Sequence, residues 1–185
     1  MIRILKKYII TILNLLFFIK LSLIRFLEVL GGFFPETSLG CKIRGCIYRP
    51  FLKNCGANFQ VALNVKFENL NKINIGNNVY VGYGSWINGH KDGVTLCDEV
   101  MLGPYVTLVA NNHSFLDNSY RFGKGSGGEI KIGSGTWLAA KSTVTAGVVI
   151  GKGVLVGANS VVTKDIKDNF VVGGVPAKMI RIIER

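Results

Sequence analysis

An aliphatic residue recurs at every sixth position through the C-terminal half of the chain. Ile132, Leu138, Val144, Ile150, Val156 and Val162 run in step, preceded by shorter blocks at Leu96, Leu102, Leu108 and at Ile75, Val81, Ile87. Four places after these positions stand small or β-branched residues: Val79, Ser85, Val100, Val106, Thr136, Ser142, Val148, Val154 and Ser160. Gly often follows the aliphatic position directly, as at Gly133 and Gly151. Such a period is neither that of a helix nor the alternation of a strand in a sheet. It requires a short strand and a tight turn, repeated, with one side chain per repeat pointing into a narrow core. Three repeats close one triangular coil, and successive coils stack by parallel pairing about 4.8 Å apart. The pattern predicts an all-β solenoid, a parallel β-helix, over residues 73–167. A β-sandwich would need spacings of roughly 8–12 residues with hairpin turns, which the pattern lacks.

The first 30 residues follow a different rule. Their longest uncharged run covers residues 8–19, ended by Lys20 and followed by Arg25 and Glu28. That is shorter than the roughly 20 apolar residues of a bilayer-spanning helix, and no small-residue cleavage site follows. The expectation is a hydrophobic, basic helical segment over 1–30 lying on a membrane surface. Arg3, Lys6, Lys7, Lys20 and Arg25 would meet anionic headgroups while Leu, Ile and Phe enter the acyl boundary. A helix pair packed on the domain and a true span are the alternatives. Residues 31–72 are read as a connecting and N-terminal capping region, and 168–185 as a C-terminal tail.

Breaks in the period locate the candidate chemistry, because loops leave a solenoid while its coils stay rigid. Nine steps separate Ile87 from Leu96 where six would continue the pattern, and the tip reads AsnGlyHisLysAspGly at 88–93. A longer excursion over 109–131 opens with AsnAsnHisSerPheLeuAsp at 111–117 and ends in the Gly-rich tract 123–128, read as a mobile flap. Counting repeats places Leu108 one coil above Ile87, so both breaks leave the prism near one corner. The chain's two histidines, His90 and His113, lie on them. Imidazole is a base near neutral pH without strong perturbation, so either histidine suits proton transfer in catalysis.

The net charge of +11 invites a nucleic-acid reading. No helix-turn-helix, zinc-module or aromatic RNA-binding pattern accompanies it, so no nucleic-acid partner is expected. Cys41, Cys46, Cys55 and Cys97 form no CxxC pair and have no nearby His, so no metal site is expected and reduced thiols are the default. Two histidines are also too few for the three His ligands of a zinc enzyme of the carbonic anhydrase kind.

The period of six, the stretch ValValThrLysAsp at 161–165 and the ending ValGlyGlyValProAlaLys at 172–178 resemble the hexapeptide-repeat acetyltransferases. That group includes the galactoside, maltose, xenobiotic and capsule-sugar O-acetyltransferases, and the resemblance covers about residues 73–185. It implies a left-handed helix, acetyl-CoA as donor, and a homotrimer with each active site between two chains. His113 matches the catalytic His of the galactoside and maltose enzymes and is the expected general base. His90 falls where serine acetyltransferases keep theirs, and either shares the proton work or binds acceptor. Asn88 and Tyr83 are candidates for acceptor contact, and Asp92 and Asp117 for orienting His113. Contacts to CoA carry over to Ala140, Ala158, Thr163, Lys164, Lys178 and Arg181, and an oxyanion-binding N–H to the vicinity of Ala139 or Ala140. The expected function is acetyl-CoA-dependent O-acetylation of a sugar or glycolipid hydroxyl in bacterial capsule, O-antigen or exopolysaccharide synthesis. The protein would work in the cytoplasm as a peripheral protein of the cytoplasmic membrane. A small free acceptor (serine, a galactoside or a xenobiotic) and a non-catalytic trimeric membrane scaffold are the competing readings.

Overall fold

The computed structural model describes residues 2–184. Helix α1 (Ile2–Gly32) leads to α2 (Ser38–Tyr48), and a short 3-10 turn brings the chain into a parallel β-helix of five coils. The first coil is β1 (Asn54–Cys55), β2 (Gln60–Val61) and β3 (Lys66–Glu68), and the second is β4 (Ile73–Ile75), β5 (Tyr80–Val81) and β6 (Trp86–Asn88). The third is β7 (Val94–Leu96), β8 (Met101–Leu102) and β9 (Thr107–Val109), after which β10 (Asn111–His113) and β11 (Gly125–Gly127) leave the prism. The fourth is β12 (Ile130–Ile132), β13 (Trp137–Leu138) and β14 (Thr143–Val144), and the fifth β15 (Val149–Ile150), β16 (Leu155–Val156) and β17 (Val161–Val162). Beyond them β18 (Phe170–Gly173) extends the second face and β19 (Lys178–Ile182) folds back antiparallel against it.

The period of six maps onto this prism with the aliphatic residue of each repeat pointing inward, and β4, β7 and β12 bury a second residue two places before it. Ile75, Leu96, Ile132 and Ile150 stack on the first face, Val81, Leu102, Leu138 and Val156 on the second, and Ile87, Leu108, Val144 and Val162 on the third. All are buried. The position four places on sits inside a corner, where small size is needed and a hydroxyl is useful. Thr136 Oγ1 donates to Gly151 O at 2.8 Å and accepts from Val154 N–H at 3.1 Å, tying one coil's turn to the next. The Gly after the aliphatic residue is there because coils touch backbone to backbone: a Cβ on Gly133 would lie 2.5 Å from the Gly151 carbonyl carbon.

The solenoid begins one coil earlier than residue 73. Cys55, Val61 and Phe67 keep the spacing of six, but two of the three are not aliphatic, so the pattern is disguised there. Helix α2 caps this coil. Thr37 Oγ1 accepts from Gly40 N–H at its start. Tyr48 meets Phe67 edge-on at 4.7 Å, and the buried Arg44 donates to Val61 O and Phe34 O. At the other end, residues expected as a tail belong to the second face through β18 and β19.

Helix α1 is one continuous helix rather than a pair packed on the domain. It touches the body through Ile24 and through Glu28, which accepts from Tyr48 Oη at 3.2 Å. Residues Tyr8–Gly32 are long and apolar enough to cross a membrane, and only 6% of that stretch is buried in the chain. The side chains of Arg3 and Lys7, expected to face headgroups, lie outside the described residues; Lys6, Lys20 and Arg25 are exposed. A cleft of about 1050 Å³ separates α1 from the first coil and contains neither histidine.

Candidate active site

Both breaks in the period leave the corner between the third and first faces, in adjacent coils, because Ile87 stacks on Leu108. The shorter one turns tightly through 89–93. Asn88, buried at the end of β6, organises it. Its Oδ1 accepts from His90 N–H at 2.9 Å and from Asn69 Nδ2 at 3.0 Å, and its Nδ2 donates to Glu68 Oε2 at 2.9 Å. The bond from Asn88 to the backbone two residues on holds His90 in the left-handed region, φ 41°. Asn88, expected to touch acceptor, is therefore engaged in placing His90.

The longer break is a β-hairpin, and its Gly-rich arm is a strand. Strand β10 pairs antiparallel with β11: Asn111 faces Gly127, and His113 faces Gly125. Cross-strand partners share a face of their ladder, so Asn111 and His113 project on the side toward which the Cβ of Gly127 and Gly125 would point. On that side lies the first loop. A Cβ on Gly125 would stand 4.0 Å from His90 Cε1, and one on Gly127 would run into the Asp92 carboxylate. The missing side chains let the hairpin settle onto the loop, bringing His90, Asp92, Asn111 and His113 to one corner. Two polar atoms of this cluster, His90 Nδ1 and Asn111 Oδ1, are buried without a hydrogen-bond partner among the described residues, and such groups are normally bonded.

Asp117 is not in this cluster. With Asn118 it forms the two-residue turn at the hairpin tip, φ 48° and 58°, closed by mutual bonds between Leu116 and Ser119. Asn111, in contrast, was not among the residues expected from sequence. Its signal is its place two residues before His113 on a strand, which puts both on one face.

The other candidates divide between two corners. Ala140 and Ala158 stack one coil apart at the corner between the second and third faces, where Asn159 N–H donates to Ala140 O. Lys178 pairs with Gly173 one coil beyond. Tyr83 belongs to this corner too, its Oη accepting from Asn64 Nδ2 at 2.7 Å and its ring 5.5 Å from that of Tyr105. Thr163 and Lys164 follow β17 and lie at the histidine corner, two coils past β9, about 10 Å along the axis. Arg181 is exposed on β19, opposite Val171. Ala139 N–H is taken up by Val156 O. Within one chain the third face thus stands between the histidines and the Ala140–Ala158 corner. Among the described residues no group of His, Cys, Asp and Glu could hold a metal ion.

A parallel prism of six-residue repeats, with a histidine-bearing hairpin at one corner and stacked alanines at the next, defines a hexapeptide-repeat transferase. Residues 72–104 match the model of the hexapeptide repeat of succinyl-transferase, and residues 129–164 that of the bacterial transferase hexapeptide (six repeats). The galactoside O-acetyltransferase of Escherichia coli K12 is 33% identical over 140 residues, 76% of this chain and 68% of that protein. WbbJ of the same strain, assigned to lipopolysaccharide biosynthesis as an O-acetyl transferase, is 31% identical over 163 residues, with coverage of 72% and 82%. A galactoside acetyltransferase solved with coenzyme A superposes with a TM-score of 0.75 at 28% identity, covering 87% of this chain and 79% of that one. A maltose O-acetyltransferase of Clostridium difficile gives 0.71 at 27%, covering 88% and 85%. The chain belongs to the hexapeptide-repeat acetyltransferase family, and it is an O-acetyltransferase of the galactoside and maltose group.

Proposed function

We propose that this enzyme transfers the acetyl group of acetyl-CoA to a sugar hydroxyl of a bacterial surface-polysaccharide precursor, with His113 as general base. The observation that carries the reading is the gathering of His113, His90, Asn111 and Asp92 beneath one hairpin. The acceptor hydroxyl gives its proton to the His113 imidazole as its oxygen attacks the thioester carbonyl. The tetrahedral intermediate then collapses, the C–S bond breaks, and the imidazolium protonates the leaving CoA thiolate. His90, steadied by Asn88, and Asn111 hold the acceptor, and their two unpartnered buried atoms are where its hydroxyls bond. Asp92, on the loop that the hairpin settles against, is the carboxylate assigned to orient the imidazole. With Ala139 N–H bonded to Val156 O, the oxyanion donor falls to Ala140.

The donor lies along the Ala140–Ala158 corner, where the lack of bulk lets a pantetheine arm approach the coil. Lys178 and Arg181 meet its phosphates. Because the third face divides this corner from the histidines, one site takes its donor corner from one chain and its histidine corner from the next, and Thr163 and Lys164 come with the histidines. A closed homotrimer satisfies this arrangement, and Tyr83 then reaches the neighbour's acceptor. The apolar α1 keeps the enzyme at a membrane, which favours a lipid-linked acceptor, and the likeness to WbbJ points the same way.

The test is free-thiol release from acetyl-CoA with sugar, nucleotide-sugar, serine and detergent-solubilised glycolipid acceptors, wild type beside His113→Ala. Release that depends on a glycolipid or sugar and drops about 10²–10⁴-fold in the variant is expected. Release with serine alone would replace the acceptor class. Acceptor-dependent release that survives in His113→Ala would remove the base.

A further inference from the structure

Along α1 the residues Ile9, Ile12, Leu16, Ile19, Leu23, Phe26 and Leu30 are separated alternately by three and four positions. In the sequence Ile2 and Leu5 continue the same spacing toward the N-terminus. This is a seven-residue apolar repeat, with Ile9, Leu16, Leu23 and Leu30 at the first core position and Ile12, Ile19 and Phe26 at the second. A repeat of 3.5 residues per turn is what a packing partner helix demands of a seam. Lipid would cover apolar side chains at any spacing.

The seam is not used within the chain. All seven residues are between 41% and 61% exposed. Contact with the body is made by other positions of the repeat. Ile24 is buried in the core cluster, Glu28 meets Tyr48, Phe17 and Leu21 line the cleft over the first coil, and Gly31 lies against Ile47. The helix thus holds its own body on one side and presents the seam on another. Side-chain types in the seam bear on how many strands it takes. Ile at both core positions, as in Ile9 and Ile12, and Leu followed by Ile, as in Leu16 and Ile19, favour three or four strands over two.

We propose that α1 is a self-association helix: copies of this chain pack side by side through the seam from Ile9 to Leu30 as a three-stranded bundle. The strand number rests on the homotrimer proposed above. The outward residues Ile10 and Phe18 stay exposed in such a bundle and carry its contact with lipid.

Single cysteines placed in the full chain, in detergent micelles, test the seam by copper-catalysed oxidation. Leu16→Cys and Ile19→Cys lie on it, Phe18→Cys points away, and the wild type with its own four cysteines is the blank. The two seam variants should move from a 20.2 kDa band to twice that mass, while Phe18→Cys stays with the wild type. Equal cross-linking at all three positions overturns the seam. So does cross-linking at none, and sedimentation of the wild type then separates two cases. A trimer would mean that the bodies assemble alone while lipid covers α1, leaving the proposed active site standing. A monomer would remove the trimer as well. Cross-linked seam variants whose wild type sediments as a dimer would overturn the strand number.

Discussion

Replacing Asn88 by Ala separates a residue that places the catalytic loop from one that grips acceptor. Three hydrogen bonds converge on the buried Asn88 side chain, at 2.9, 3.0 and 2.9 Å. A typical intramolecular hydrogen bond contributes about 0.5–1.5 kcal/mol net, so losing three costs about 3 kcal/mol. In a chain of this length that corresponds to roughly 6–12 °C in Tm. The melt is read by circular dichroism at one fixed protein concentration, because assembly makes Tm concentration-dependent. Freed of its bond to Asn88, His90 leaves its left-handed conformation and the loop no longer supports the hairpin, so kcat falls with every acceptor alike. Asn88→Asp keeps the acceptor for His90 and Asn69 N–H groups but sets a second carboxylate beside Glu68, and its loss should be intermediate. A Tm within about 1 °C of wild type, with a KM rise confined to one acceptor, would refute this reasoning and return Asn88 to acceptor binding.

In Gly127→Ala the new methyl meets the Asp92 carboxylate and the Ala110 carbonyl. Displacement of the hairpin should lower kcat by up to about 100-fold while the melt of the coils is unchanged; equal kcat would mean the hairpin tolerates the shift. Lys178→Ala removes an exposed cation from the proposed donor corner, and KM for acetyl-CoA should rise about fivefold, as for loss of about 1 kcal/mol, with kcat preserved. Burial, then the charge and hydrogen bond of Glu28, push the Tyr48 phenol up from its ordinary value. Its contribution to stability is therefore complete below about pH 10, where the unfolded phenol titrates, and declines as pH rises through the folded pKa. Melts taken between pH 8 and 11 should show a steeper alkaline loss for wild type than for Tyr48→Phe; parallel curves would sink the assignment.

The coils were legible because each repeat contributes one residue to a narrow core, and a period of six leaves no alternative element. Where residue type departs from aliphatic while position does not, as at Cys55 and Phe67, the sequence disguises the first coil. The Gly-rich arm of the hairpin reads as a flap in the sequence because Gly125–Gly127 has no apolar alternation to betray a strand. Its pairing is dictated by neighbours that need the missing side chains, and such a demand is tertiary. The structural bonds of Asn88 are hidden in the sequence for a related reason. An Asn before Gly at a turn signals a bond to its own backbone, but that bond becomes decisive only once Glu68 and Asn69 are stacked beneath it by the preceding coil. The uncharged run of α1 is short, while the continuous helix extends past Lys20 and Arg25, whose long basic side chains can reach past apolar surface.

A site shared between chains has a consequence no single-chain site allows. In a prism each corner repeats once per coil, so His113 and Ala158 stand at corners divided by the third face, and in the proposed trimer they meet across an interface. His113→Ala lacks the proposed base but keeps the proposed donor corner, and Ala158→Trp fills that corner but keeps His113; each alone should be inactive. Co-expressed in equal amounts and assembled at random, they pair an intact His113 with a neighbouring intact Ala158 at about a quarter of interfaces in a closed ring. Acetyl transfer should return to about a quarter of the wild-type rate, measured as thiol release from the purified mixture. A mixture as inactive as its parents, in assemblies shown by mass spectrometry to contain both chains, would put the whole site back within one subunit. The hairpin would then have to swing across the third face, and Gly127→Ala would become the variant to examine for such a motion.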